Sequence, residues 1–212
     1  SSNKRGNENV ITRGSNIVVF DGQAAIMVDQ GIVMEIATVP GVYTYDGGTP
    51  GIFESTFGAG LKNTFKESWE RIKHGGDASH DARVYYFNMK EIIDNKFGTQ
   101  NPIPFRMTYQ DLGRSFTVGV RCNGTYSYTI TDPVLFYTNV CGNISSRFLR
   151  SDLESQLKTE LLSALLPAFA KISEMGIRYS ALPAHAAELA DALNAELSSK
   201  WRDLRGIEIV SF

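Results

Sequence analysis

Phe116-Thr117-Val118-Gly119-Val120-Arg121-Cys122-Asn123-Gly124-Thr125-Tyr126-Ser127-Tyr128-Thr129-Ile130 is the stretch on which the fold turns. Every even position in it is apolar or glycine, while the odd positions are Thr, Gly, Arg, Asn, Thr, Ser and Thr. A period of two marks a strand with one buried face. Asn123-Gly124 is the dipeptide of a two-residue hairpin turn. A turn there, however, sets Val120 opposite Ser127 and Val118 opposite Thr129, so the apolar row of one arm meets the polar face of the other. The phase predicts one long strand, bent or bulged at Gly124 and ended by Asp132-Pro133.

Upstream, Ala24, Ile26 and Val28 alternate, as do Ile32, Met34 and Ile36 on the other side of Asp29-Gln30-Gly31. A three-residue loop pairs Val28 with Ile32 and Ile26 with Met34, with Gly31 supplying the left-handed position. Short strands are expected over 42–45, 83–88 and 103–108, set off by Pro40-Gly41, Gly98 and Asn101-Pro102-Ile103-Pro104. Between them, Leu61, Phe65, Trp69 and Ile72 follow a helical period that His74-Gly75-Gly76 stops. Downstream, Ser151-Asp152-Leu153-Glu154 matches a capping box, and Leu153, Leu157, Leu161, Leu165 and Phe169 form one helical stripe, which Pro167 is expected to kink or interrupt. A second helix is expected over 183–204, capped by Gly206 and followed by a strand over 207–212.

The chain has 212 residues, 42% hydrophobic and 21% charged, which is the make-up of a globular protein with a real core. Twenty-one Lys and Arg against 23 Asp and Glu leave a net charge of −2, so no basic excess is present to release counterions from a nucleic acid. The most apolar window, 161–170, is too short to span a bilayer and ends at Lys171. Cys122 and Cys141 are expected to be reduced core thiols, which favours a cytoplasmic protein. The two glycosylation sequons at Asn123 and Asn143 are therefore read as chance matches. The polar start lacks both Met and an apolar segment, so residues 1–14 are expected to be a disordered tail left by a cut in a longer protein.

Catalytic constellations are scarce. Gly58-Ala59-Gly60 lacks the remaining residues of a phosphate loop. His74, Asp77, His80 and Asp81 share one Gly-rich stretch and are the weak candidates for a metal site, with a solvated loop as the plainer reading. His185 and Glu188 share a helix face, but no second such pair accompanies them. No catalytic residue and no cofactor are expected.

Several blocks together resemble the SPFH (stomatin, prohibitin, flotillin, HflK/C), or band 7, family, and most closely its bacterial virion-core-protein-like branch. They are Asp21-Gly22-Gln23-Ala24-Ala25-Ile26 with Val28-Asp29-Gln30-Gly31, Pro40-Gly41-Val42-Tyr43-Thr44-Tyr45, Arg83-Val84-Tyr85-Tyr86-Phe87-Asn88, Tyr128-Thr129-Ile130-Thr131-Asp132-Pro133 and Phe136-Tyr137-Thr138-Asn139-Val140. The end, Lys200-Trp201-Arg202-Asp203-Leu204-Arg205-Gly206-Ile207-Glu208-Ile209, resembles the family's helix running into a closing strand. The resemblance implies an α+β fold, a mostly antiparallel twisted sheet with C-terminal helices packed on it. It makes 15–212 a single domain, with 54–82 as a helical insertion.

It further implies a non-catalytic scaffold in a bacterial cell, peripheral to the cytoplasmic membrane, that organises other proteins. The partners implied are further copies of the chain, membrane lipids reached through segments outside it, and other proteins; nucleic acid is not among them. Two alternatives stand beside it: a metal-binding module or hydrolase built on the His74–His80 loop, and a particle-forming structural protein.

Overall fold

The computed structural model of the chain describes residues 10–45, 81–109, 113–142, 144 and 147–212. The expected helix over 59–73 and nearly all of the 54–82 insertion lie outside these residues, as do Gly58-Ala59-Gly60, His74, Asp77 and His80. The described residues show the expected α+β class: every strand pairing is antiparallel, and the long helices follow all the strands but the last in sequence. They fall into two compact units, one formed by 1–90 with 141–147 and the other by 91–140 with 148–212.

The first unit holds β1 (Asn16–Val19), β2 (Gln23–Asp29), β3 (Ile32–Ala37), β4 (Gly41–Thr44) and β5 (Ala82–Asn88). β2 lies between β3 and β5, and β1 pairs with β4. Both faces of β2 are buried from Ala24 to Asp29, so its alternation does not separate a wet face from a dry one. Ile17, Val19, Ala25, Met27, Met34 and Ala37 make one core cluster. Ile11, in the stretch expected to be a tail, packs on that cluster, and its N–H donates to the Ala82 carbonyl at 2.8 Å.

The β2–β3 hairpin forms, but its turn is shorter than expected. Asp29 faces Ile32, so the loop is only Gln30-Gly31, with φ of 50° and 79° at its two residues. Positive φ at both positions gives the turn whose twist matches the strands. A two-residue loop puts Val28 opposite Val33, out of phase with the apolar pattern. A bulge on β3 then brings Ile26 opposite Ile36, restoring the phase.

The second unit contains β6 (Ile92–Gly98), β7 (Ile103–Tyr109), β8 (Arg114–Val120), β9 (Asn123–Ile130) and β10 (Ile207–Ser211). Its helices are α1 (Pro133–Phe136), α2 (Arg150–Glu174) and α3 (Ala186–Leu197). The stretch over 116–130 does not reverse at Asn123-Gly124, but neither is it one strand. It breaks at Arg121-Cys122: β8 pairs with β7, and β9 lies between β10 and β6. Thr99 holds the break, its hydroxyl donating to the Cys122 carbonyl at 3.2 Å and accepting from the Cys122 N–H at 3.0 Å. The even positions of β9, Tyr126, Tyr128 and Ile130, are buried as expected, whereas Phe116 on β8 is exposed.

β6 and β1 were not expected from sequence. β6 carries a bulge between Ile92 and Asn95, with Asp94 at φ 60°. There the buried Asn95 amide donates to the carbonyls of Ile92 and Tyr126 at 2.7 and 2.9 Å.

The α2 stripe is as expected: Leu153, Leu157, Leu161, Leu165 and Phe169 are all buried, each contributing about 2 kcal/mol of apolar burial. The helix starts earlier than the proposed box, with Asp152 rather than Glu154 accepting the hydrogen bond from the Leu149 N–H at 2.8 Å. Pro167 does not interrupt it. The turn loses one backbone hydrogen bond there, but the buried Ala164, Leu165, Ala168 and Phe169 keep the helix on the core. α2 packs on β7, where Phe105 meets Phe169 edge to face with ring centroids 5.8 Å apart.

The second helix breaks into three pieces: a 3-10 turn at Tyr179–Ala184, α3, and a π turn at Trp201–Arg205. Gly206 ends the last piece in the left-handed conformation, φ 64°, as expected.

Candidate functional site

The described residues of the second unit converge on two joints. At the first, the Gly206 carbonyl accepts from the N–H groups of Thr131 and Asp132 at 2.7 and 3.0 Å. The Asp132 carboxylate in turn caps α1, accepting from the N–H groups of Val134 and Leu135 at 2.9 and 3.0 Å. A Cβ on residue 206 would stand 2.3 Å from the Asp132 carbonyl oxygen, so the position requires glycine for space as well as for its φ.

At the second joint, Glu160 on α2 faces the π turn. Arg205 reaches its two oxygens in a fork at 2.6 and 2.9 Å, Trp201 Nε1 donates to Oε2 at 2.8 Å, and Gln156 donates to Oε1 at 2.8 Å. The Arg205 and Glu160 side chains are 13% and 12% exposed, so solvent screens the pair little. The Arg205 hydrogen bonds hold the Glu160 carboxyl at about 2, far below its ordinary 4.5. A carboxylate so saturated with donors does not exchange protons near neutral pH; it ties α2 to the turn that launches β10.

Neither joint was among the sites proposed from sequence. The available signal was position: Glu160 stands beside Leu157 and Leu161 on the buried side of α2, where a charge needs a partner.

Of the proposed metal ligands, only Asp81 is described. Its carboxylate is taken by Arg83, with Nη2 at 2.7 Å and Nε at 3.3 Å, and this contact raises the guanidinium's proton affinity. His185 and Glu188 do meet, Nδ1 to Oε1 at 3.0 Å, and the contact lowers the Glu188 carboxyl. Among the described residues no three His, Cys, Asp or Glu side chains gather around a point. Cys122 is half-buried and Cys141 buried. Neither is in a disulfide, and burial pushes both thiols up, Cys141 to about 11, so neither is a ready nucleophile.

An open cleft of about 430 Å³ lies between the β6–β7 loop and α2, lined by Thr99, Asn101, Lys158, Thr159 and Ser163 among others. Its hydroxyls are committed to the backbone: Thr159 donates to the Ser155 carbonyl, Ser163 to that of Thr159, and Thr99 to that of Cys122. No described helix is long and apolar enough to cross a membrane. On the first unit, the cross-strand pair Val18 and Val42 is exposed at 37% and 65%, and Phe20 at 64%.

The described residues are of the mixed α+β class, antiparallel strands followed by helices and closed by a last strand. The SPFH domain-Band 7 family model matches residues 4–212, across both units, and the chain belongs to that family. It is a family of membrane-associated, generally non-enzymatic scaffolds. No curated protein matches the chain.

Proposed function

We propose that this chain is the scaffold domain of a bacterial protein that self-assembles on the cytoplasmic face of the membrane and gathers other proteins there, in the virion-core-protein-like branch of its family. The observation that carries this reading is the family match over both units. The outward-facing Val18, Phe20 and Val42 add apolar surface of the kind that contacts between copies or with lipid bury.

The test is light scattering of the purified chain together with flotation of the full-length protein on vesicles of phosphatidylethanolamine and phosphatidylglycerol. Oligomers that float support the reading. A monomer that stays in the soluble fraction at tens of micromolar refutes it. The metal-site alternative is weakened by the engagement of Asp81 with Arg83, and elemental analysis decides it.

A further inference from the structure

The strand edges of the second unit are unequally protected. On β10, the Asn194 side chain of α3 imitates a neighbouring strand, donating to the Ile209 carbonyl and accepting from the Ile209 N–H, both at 2.9 Å. On β6, the bulge at Asp94 breaks the edge and Arg150 donates to the Ile93 carbonyl at 3.0 Å. On β7, Pro104 has no N–H to offer, and the Arg106 carbonyl accepts from the Ser173 hydroxyl. These are devices that stop a sheet from recruiting another strand.

β8 is built differently. Arg114 to Thr117 and Gly119 are exposed, Val118 and Val120 are half-buried, and among the described residues β7 is the one strand that pairs with β8. Its register with β7 sets Gly119 opposite Pro104 and Thr117 opposite Arg106. Proline cannot complete a hydrogen-bonded pair, and the Arg106 carbonyl points to Ser173, away from β8. Both therefore belong to the non-hydrogen-bonded set of the ladder. By alternation, Ser115, Thr117 and Gly119 direct their N–H and C=O groups away from β7, towards solvent.

We propose that β8 is the pairing edge for β8 of a second copy of this chain, antiparallel, with a two-fold axis at Thr117. This rests on the self-assembly reading and gives it a specific contact. In this register Thr117 faces Thr117 of the other copy, and Ser115 faces Gly119, in hydrogen-bonded pairs that use the outward groups of both strands. Phe116 faces Val118 in the closer, non-hydrogen-bonded pairs. Aromatic against β-branched and Thr against Thr are among the favourable cross-strand pairs.

Charge agrees, since Arg114 faces Val120 rather than another Arg114. Phe116, 49% exposed, and Val118 stand on the same face as the buried Phe105, so the second copy extends an apolar face that is otherwise left half covered. The result is a continuous sheet in the order β7, β8, β8 and β7, and each bare edge of β8 disappears.

The experiment places a single cysteine on the strand in the 212-residue chain carrying Cys122→Ser and Cys141→Ala. Paired residues at the two-fold have Cα atoms about 5.5 Å apart, within reach of a disulfide. Thr117→Cys is expected to cross-link to a covalent dimer under mild oxidation. Ser115→Cys is not, because its own counterpart lies about four residues' rise away, roughly 13 Å. In the chain with its own cysteines, Thr117→Pro removes an N–H that the β7–β8 hairpin does not use, and is expected to weaken self-association at least tenfold while leaving the circular dichroism spectrum and melting temperature close to those of the parent.

Equal cross-linking at 115 and 117, or none at 117, overturns the inference. So does a folded Thr117→Pro chain that associates as the parent does. If the parent forms oligomers while these outcomes occur, only the β8 contact falls; if the parent is monomeric, the self-assembly reading falls with it.

Discussion

Replacing Glu160 by Gln keeps the shape of the side chain and removes its charge, leaving the Arg205 guanidinium 13% exposed and without a counter-ion. The cost follows from the proton affinity of the carboxyl. In the folded chain it is held at about 2, against an ordinary 4.5. At 1.36 kcal/mol per unit, the folded state favours the charged form by roughly 3 kcal/mol. Because the folded value is depressed, this contribution is complete above about pH 5 and is lost as the pH falls through 4.5 towards 2. At neutral pH, Glu160→Gln is therefore expected to unfold about 3 kcal/mol more easily, a melting temperature lower by roughly 6–12 °C for a chain of this size.

The assay is urea unfolding followed by the fluorescence of Trp201, which is 1% exposed, in a Trp69→Phe background that makes it the sole tryptophan. The gap between parent and variant should narrow steadily between pH 5 and pH 2.5. A gap below about 1 kcal/mol at pH 7, or one that does not change with pH, would refute the assignment of Glu160 and Arg205 as a desolvated latch.

Gly206→Ala is expected to cost about 3 kcal/mol or more, from left-handed strain and loss of the two bonds to the 206 carbonyl. Gly176→Ala, at φ 78° with nothing within 4 Å of the new Cβ, should cost only about 1–2 kcal/mol; equal melting temperatures for the two variants would deny the clash with Asp132. Asn194→Ala removes both side-chain bonds to Ile209 and should speed hydrogen exchange of the Ile209 amide by at least tenfold while α3 stays helical by circular dichroism; unchanged exchange would mean that the amide does not guard that edge. With its thiol near 11, Cys141 should react with a disulfide reagent at pH 8 only as fast as the chain opens, so its rate should rise with sub-denaturing urea, and a prompt reaction in buffer alone would contradict its burial.

What was legible in the sequence is what local periodicity encodes. The α2 stripe from Leu153 to Phe169 is buried as its spacing implies, and Gly206 ends its turn as a left-handed cap. The phase argument against a turn at Asn123-Gly124 also holds, because β8 and β9 never pair. What failed depended on partners distant in sequence. The break at Arg121-Cys122 exists because β8 and β9 serve different neighbours, and Thr99, which holds it, lies 23 residues away. The Gln30-Gly31 loop was misjudged by one residue because a bulge on β3 repairs the phase, and nothing in an alternating pattern marks a bulge in advance. Pro167 failed as a breaker for the opposite reason: tertiary burial on both sides outweighs one lost hydrogen bond. The joints at Glu160, Arg205 and Asn194 show in sequence only as polar residues next to an apolar stripe. Such a position says that a partner exists without saying which.

The bonds between Gly206 and Thr131-Asp132 also carry a consequence for the order in which the chain is made. β9 emerges from the ribosome long before β10, its edge partner, since Ile130 pairs with Ile207. At about 5–20 residues per second, that strand waits roughly 4–15 seconds for its neighbour. The first unit likewise needs 141–147 to be complete. The first unit therefore receives its last segment only after residue 147 has been made, and β9 its second neighbour only when β10 has.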